Sequence, residues 1–264
     1  MGGNNGFARL CKARYALTMT TTPIEAQSAS SAAHHQFRYY DLVMAAFVAI
    51  LLLSNIIGAS KMSSVNLPFI GEWPFGAGVL FFPLSYVIGD MLTEVYGYAR
   101  ARRVIWTGFG ALIFMAFMAW VVVLLPPADG WPHQAAYEAV FGNSWRIVLA
   151  SMLAFWAGEF ANSFVLAKMK IANKGKNMGL RFVASTFVGQ GLDSLIFYPV
   201  AFYGQEGWAT DNLFKTVLSQ WTIKTGWEII LLPVTIMIVT ALKRREGVDL
   251  YDDTTDFTPF RAKL

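Results

Sequence analysis

The chain has 264 residues, 55% of them hydrophobic and 14% charged, with a mean hydropathy of +0.44 and an isoelectric point of about 9.1. Soluble domains carry about 25% charged residues, so this deficit predicts a surface that mostly faces something other than water. A single cysteine, Cys11, excludes an internal disulfide and a cysteine metal cage, and basic residues confined to short gaps between apolar runs mark membrane topology rather than a nucleic-acid patch.

Residues 1–38 are rich in Gly, Ala, Ser and Thr with no apolar core stretch, which predicts a disordered cytoplasmic leader. The run before Met19 lacks the apolar region of a cleavable signal peptide and reads as an upstream extension of a protein whose functional start is Met19. Arg9, Lys12 and Arg14, without acids, give the rival reading of a mitochondrial presequence. A helix needs about 20 apolar residues to cross a hydrocarbon core of about 30 Å. Runs of that kind occur six times: Asp41 to Ala59, Phe75 to Tyr96, Val104 to Leu125, Trp145 to Lys168, Phe182 to Tyr203 and Phe214 to Leu242. Pro68, Pro74, Pro126, Pro127, Gly175 and Gly204 punctuate the gaps. The last run exceeds a perpendicular crossing, so it is tilted or begins as an interfacial segment. The expected architecture is an all-α membrane protein: a six-helix transmembrane domain over residues 39–243, then a cytoplasmic tail over 244–264.

Basic residues orient this bundle. Seventeen of the 21 lie in the leader, the second-to-third and fourth-to-fifth connections, and the tail. Lys61, Arg146 and Lys215 lie opposite, and Lys224 lies within a span. That asymmetry predicts both termini in the cytoplasm. It also places Trp73, Trp131, Trp145 and Trp208 at the outer interface.

Function is sought in residues that break the apolar rule, since an ionisable group within a span costs about 2.5–3.5 kcal/mol on insertion scales. The candidates are Asn55, Asp90 with Glu94, Glu159 with Asn162, Gln190 with Asp193, and Lys224 with Glu228. Each pair is three or four positions apart, so both members share a helix face. Four helices presenting such patches predict one interior cavity for a small polar solute. Bland readings stand beside this one. Lys224 and Glu228 could pair privately, Asp90 and Glu94 could answer Arg100, Arg102 and Arg103, and Asn55 could bond a neighbouring helix. Glu159–Asn162 and Gln190–Asp193 have no basic residue within a turn and are harder to explain away. The small-residue stripe Ala150, Ala154, Ala157, Gly158 and Ala161 would permit a homodimer but serves packing within the chain equally well. Phe81, Phe82, Tyr86, Trp156, Trp221 and Trp227 could stack on a flat ring, although lipid-facing use is commoner for such residues.

The histidines, His34, His35 and His133, lie outside the spans, and neither a nucleophile elbow nor a Walker loop is present. No metal, cofactor or catalytic residue is expected, and the chain is read as a non-enzyme.

The segments Ser54-Asn55-Ile56-Ile57-Gly58-Ala59, Phe82-Pro83-Leu84-Ser85-Tyr86-Val87-Ile88-Gly89-Asp90 and Thr93-Glu94-Val95-Tyr96-Gly97-Tyr98 resemble one family, as do the following Ala101-Arg102-Arg103, Glu159-Phe160-Ala161-Asn162-Ser163, Lys168-Met169-Lys170, Gly189-Gln190 and Asp193-Ser194. It is the queuosine precursor transporter family, of the bacterial vitamin-uptake type, and the likeness covers about residues 40–243. The resemblance implies import of the 7-deazaguanines preQ0 and preQ1 across the cell inner membrane for tRNA queuosine salvage, by a single-component carrier. The family is distantly similar to the six-helix substrate-binding subunits of energy-coupling-factor transporters, which makes a capture subunit of an ATP-driven system the close rival. An intramembrane enzyme, or another nucleobase or vitamin as solute, are further alternatives. The implied partners are the solute and the lipid bilayer, not nucleic acid. A carboxylate can accept the adjacent N–H donors of a guanine-like edge. Glu159 or Asp193 would do so, Asn162 and Gln190 would complete the polar shell, and an aromatic such as Trp227 would cover the ring. Glu228 or Asp90 would meet the aminomethyl cation of preQ1, and a titrating carboxylate could couple uptake to protons.

Overall fold

The computed structural model describes residues 26–28, 37–57, 62–67, 71–142, 145–204 and 210–260. Most of the expected leader, with Lys61 and Trp208, lies outside the described residues, as do the side chains of Trp73 and Trp145. Of the four expected interface tryptophans, Trp131 is therefore the one described, and it is exposed.

Among the described residues seven helices follow in chain order: α1 (Tyr40–Ile57), α2 (Phe82–Tyr96), α3 (Tyr98–Leu124), the short α4 (Gln134–Phe141), α5 (Trp145–Ala172), α6 (Met178–Phe202) and α7 (Thr210–Glu246). Two small sheets accompany them. Strand β1 (Ala26–Ser28) pairs in parallel with β4 (Asp249–Tyr251). Strands β2 (Met62–Leu67) and β3 (Gly71–Gly76) form an antiparallel hairpin in register Met62 to Gly76.

Helix bounds depart from the hydropathy runs where local chemistry decides. The second run begins at Phe75, but Gly71–Gly76 is strand and Ala77–Leu80 a 3-10 turn, so α2 starts at Phe82 with Pro83 in its first turn. No loop separates α2 from α3. Gly97 alone breaks them, at φ 81°, a conformation that a side chain would strain. Arg100, Arg102 and Arg103 consequently open α3 instead of forming a connection.

Among the described residues five stretches are long and apolar enough to cross a membrane: Tyr40–Ile57, Ala77–Tyr96, Tyr98–Leu124, Gln134–Ala172 and Leu213–Glu246. Helix α6 is not among them, although its 25 residues span about 37 Å. Its buried face carries Arg181, Ser185, Thr186, Gln190, Asp193 and Ser194, which dilutes its apolar character. The molecule is inverted relative to a soluble domain. Phe114, Ile230 and Met237 are about two-thirds exposed, whereas Glu94, Glu159, Arg181 and Gln190 are wholly buried. Lipid as the surrounding solvent accounts for both halves of that pattern.

Glycines set the closest helix contact. Helix α5 lies along α6, where a Cβ on Gly158 would meet the Gly189 carbonyl at 2.9 Å and Asp193 Cβ at 3.0 Å. A Cβ on Gly189 would meet Asn162 Cβ at 2.7 Å. Ala150 and Ala154 are buried on the same helix, so much of the small-residue stripe is consumed by packing within the chain.

Candidate functional site

Two polar assemblies occupy opposite ends of the bundle, with a third set of buried groups between them. At one end lies a cavity of about 1420 Å³, mostly apolar. It is lined by the C-terminal ends of α1, α3 and α6, by α4, and by the N-terminal ends of α2, α5 and α7. Among its polar residues are Asn55, Ser151, Asp193 and Lys224. Ser151 donates to Asn55 Oδ1 at 3.1 Å, so Asn55 bonds a neighbouring helix and also faces the cavity.

Lys224 on α7 donates to Asp193 Oδ2 on α6, and its ammonium sits 4.7 Å from the centre of the Phe82 ring. The private Lys224–Glu228 pair considered from spacing is therefore replaced by an ion pair between helices. Glu228 instead accepts from Thr186 and, at 3.0 Å, from Gln190 Nε2. Helix geometry offered the first pairing, but the α6 carboxylate competes successfully for the lysine.

The middle set comprises Tyr86, Asp90, Glu159, Asn162, Gln190 and Glu228. Asn162 Nδ2 donates to Asp90 Oδ1 at 2.8 Å. Asp90 and Glu228 face one small cavity of about 10 Å³ with Thr186 and Thr235. Asp90, Glu159, Asp193 and Glu228 all lie within electrostatic reach of the Tyr86 hydroxyl. Several atoms of this set have no protein partner among the described residues: both carboxylate oxygens of Glu159, Asn162 Oδ1, Gln190 Oε1 and the Tyr86 hydroxyl. A buried polar atom left unpaired costs about 1–3 kcal/mol, more when charged. So many together mark a place prepared for a ligand's donors and acceptors. Gly89 makes the position of Glu159 workable, because a Cβ there would collide with Glu159 Oε1.

Glu94 does not join this set. Arg181 grips it with Nε to Oε2 at 2.8 Å and Nη2 to Oε1 at 2.7 Å, while Lys243 approaches Oε1 at 2.5 Å and Lys170 at 3.5 Å. Both lysines also reach Asp249 Oδ1, Lys170 at 2.8 Å and Lys243 at 2.6 Å. Burial pushes the Asp249 carboxyl up, but the two ammonium groups outweigh it and hold the group below the usual carboxylate range. Arg102, which spacing offers as a partner for Asp90 and Glu94, instead donates to the carbonyls of Asp256 and Thr258 at 2.8 and 2.7 Å.

The flat-ring candidates also separate. Phe82 and Tyr86 pack together at 5.7 Å within reach of Lys224 and the acids. Phe81 is exposed, and the Trp221 indole donates to the Phe187 carbonyl at 2.8 Å. Trp156 packs against Trp106 and Phe160. Sequence reasoning passed over Thr186 and counted Arg181 merely as a topological charge. Spacing held a usable signal for both: Thr186 stands four before Gln190, and Arg181 opens the same polar face of α6.

A family model described as "Putative vitamin uptake transporter" matches residues 76–238, which span every member of the middle set. The chain belongs to this family. A relative within reach of the same transporter type is the "Probable queuosine precursor transporter" of Bacillus subtilis (strain 168), 34% identical over 145 residues. That alignment takes in 54% of this chain and 62% of the relative, so the chain spans less than two thirds of the relative's length. No solved structure matches. The family assignment and the apolar helices together make this a multi-pass membrane protein of a transporter family.

Proposed function

We propose that the chain is a single-component carrier that imports a queuosine precursor, a 7-deazaguanine base such as preQ0 or preQ1, across the cell inner membrane. Family membership and the name of the Bacillus relative support the solute class. The observation that carries the reading is the Glu159 carboxylate, wholly buried, with both oxygens unpartnered beside the free carbonyl oxygens of Asn162 and Gln190. A guanine-type edge presents adjacent N–H donors that one carboxylate accepts together, and the amide oxygens suit remaining donors. The Tyr86 hydroxyl supplies a donor for the ring's acceptors. Asp90 and Glu228 share a cavity the size of about one water, which supports a role for them in holding a proton that moves with the solute.

The bundle crosses six times in this reading, α6 being the crossing whose polar face is spent on the site. Both termini then lie on the cytoplasmic side, where the basic residues concentrate. The cavity end faces out, and solute passes the Asp193–Lys224 pair to reach Glu159.

Uptake of labelled preQ1 by cells lacking their own importer tests the proposal. Glu159→Gln and Asp193→Asn should each abolish accumulation at normal expression; native uptake in both would sink it. Recovery of unchanged solute separates a carrier from an enzyme. Uptake by the purified chain in liposomes without ATPases separates it from a capture subunit.

A further inference from the structure

Glu94 is an unusual junction for a residue within an apolar span. Its carboxylate and carbonyl are held by Arg181 from α6, Lys170 from α5 and Lys243 from α7. The two lysines are held in turn by β4, through Asp249 and, for Lys170, through the Leu250 carbonyl at 2.6 Å. The ends of α2, α5, α6 and α7 remote from the cavity therefore converge on one acid, with Glu94, Arg181 and Lys170 essentially inaccessible.

A static brace would not need this chemistry. Buried ion pairs pay a desolvation cost that a well-packed apolar seal of the same volume avoids, so such a seal would close the end at least as firmly. Charges differ in the opened state. Water re-solvates an ammonium or carboxylate but is excluded from apolar side chains, so an ionic seal opens onto water at a small net change. Strand β4 spans three residues, and side-chain bonds to Asp249 and the Leu250 carbonyl are contacts that water can replace.

We infer that the Glu94–Arg181–Lys170–Lys243 cluster is the gate opposite the cavity, and that β4, through Asp249, is its latch. The inference rests on the carrier reading for what passes the gate, whereas opening of the cluster itself is a separate property of the fold. Opening requires Lys170 and Lys243 to release Asp249, after which α5 and α7 part from Glu94 and expose the middle set from that side.

Cys11 is the sole cysteine, so a Cys11→Ser background accepts single reporters in the full chain. Ser163→Cys probes α5 between Glu159 and Lys170, at a buried position bonded to Thr93. Ser219→Cys probes the cavity wall. Reaction with a membrane-impermeant maleimide is followed in right-side-out and inverted vesicles, with preQ1 uptake measured in parallel. The reporter at 163 should be protected from both sides in the otherwise native chain. Asp249→Asn, at a partly exposed position, should speed its labelling from the gate side by about tenfold, equivalent to a shift of about 1.4 kcal/mol between states, and slow the reporter at 219. Lys243→Met should act in the same direction, and Asp253→Asn, an exposed acid nearby, should change nothing. If 163 stays protected in both Asp249→Asn and Lys243→Met while their uptake falls, the cluster is a fixed brace and the gate is overturned. Unchanged labelling with unchanged uptake overturns it equally. Increased labelling in chains that never move solute, the parent included, upholds the gate and defeats the carrier reading.

Discussion

Gly89 and Glu159 fit together as a packed pair. The absent side chain at 89 gives the Glu159 carboxylate its place. Gly89→Ala should displace the carboxylate without altering its charge. Because a hydrogen bond to a charged group contributes about 1.5–3 kcal/mol, solute affinity should fall at least about tenfold, read as a raised KM for uptake with normal membrane expression. Ordinary uptake by Gly89→Ala would remove Glu159 from the binding set. Glu159 was legible in the sequence because no basic residue lies within a turn to explain it. Lys224 shows the limit of spacing: Glu228 lies four residues away and satisfies the helical rule, yet Asp193 takes the lysine. Local spacing lists the possible partners, and packing chooses among them.

Elements carry a second kind of constraint. At the α5–α6 contact a Cβ on Gly189 would meet Asn162 Cβ at 2.7 Å and the Gly158 carbonyl at 2.9 Å, atoms fixed by the backbone that cannot simply swing aside. Gly189→Ala should destabilise the fold by about 1–3 kcal/mol as an overpacking change, measured by denaturant unfolding in detergent. The C-terminal segment is likewise more than a trailing end. Asp252 accepts from the Tyr98 N–H at 2.9 Å and so caps the start of α3, while the Trp106 indole donates to the Pro259 carbonyl at 2.8 Å. Asp252→Ala should cost about 0.5–2 kcal/mol, the range for a lost helix cap, and stability unchanged in that assay would show the contact to be incidental. Hydropathy gave the apolar lengths but not these attachments, because a tail of mixed polarity has no periodicity to read.

The whole molecule has two unlike ends: an open, largely apolar cavity and a closed, charged cluster. Asp249 sits below the usual carboxylate value, so its contribution to folding stability is complete above the unfolded value of 3.8 and fades as pH falls through the lower folded value. The difference in unfolding midpoint between the native chain and Asp249→Asn should therefore stay flat from about pH 8 to about pH 5 and shrink only below the unfolded value. A difference that vanished near neutrality would mean that the lysines do not hold this acid. Alternating helix direction explains why the ends differ: residues at the start of α5 and the end of α6 meet at the cavity, and their opposite termini meet at Glu94.

By itself the sequence determined the solvent, through apolar runs of crossing length and few charges, and it determined which residues break that pattern. Both are one-dimensional properties, fixed by the cost of placing backbone and charge in hydrocarbon. Only the tertiary structure decided how the polar residues divide. Glu94 went to a cluster of cations drawn from three other helices, and Glu159 was left with unpaired oxygens. That division depends on which helix ends meet and how closely glycines let them approach, and contacts between positions 94 and 181, or 193 and 224, leave no periodic trace along the chain.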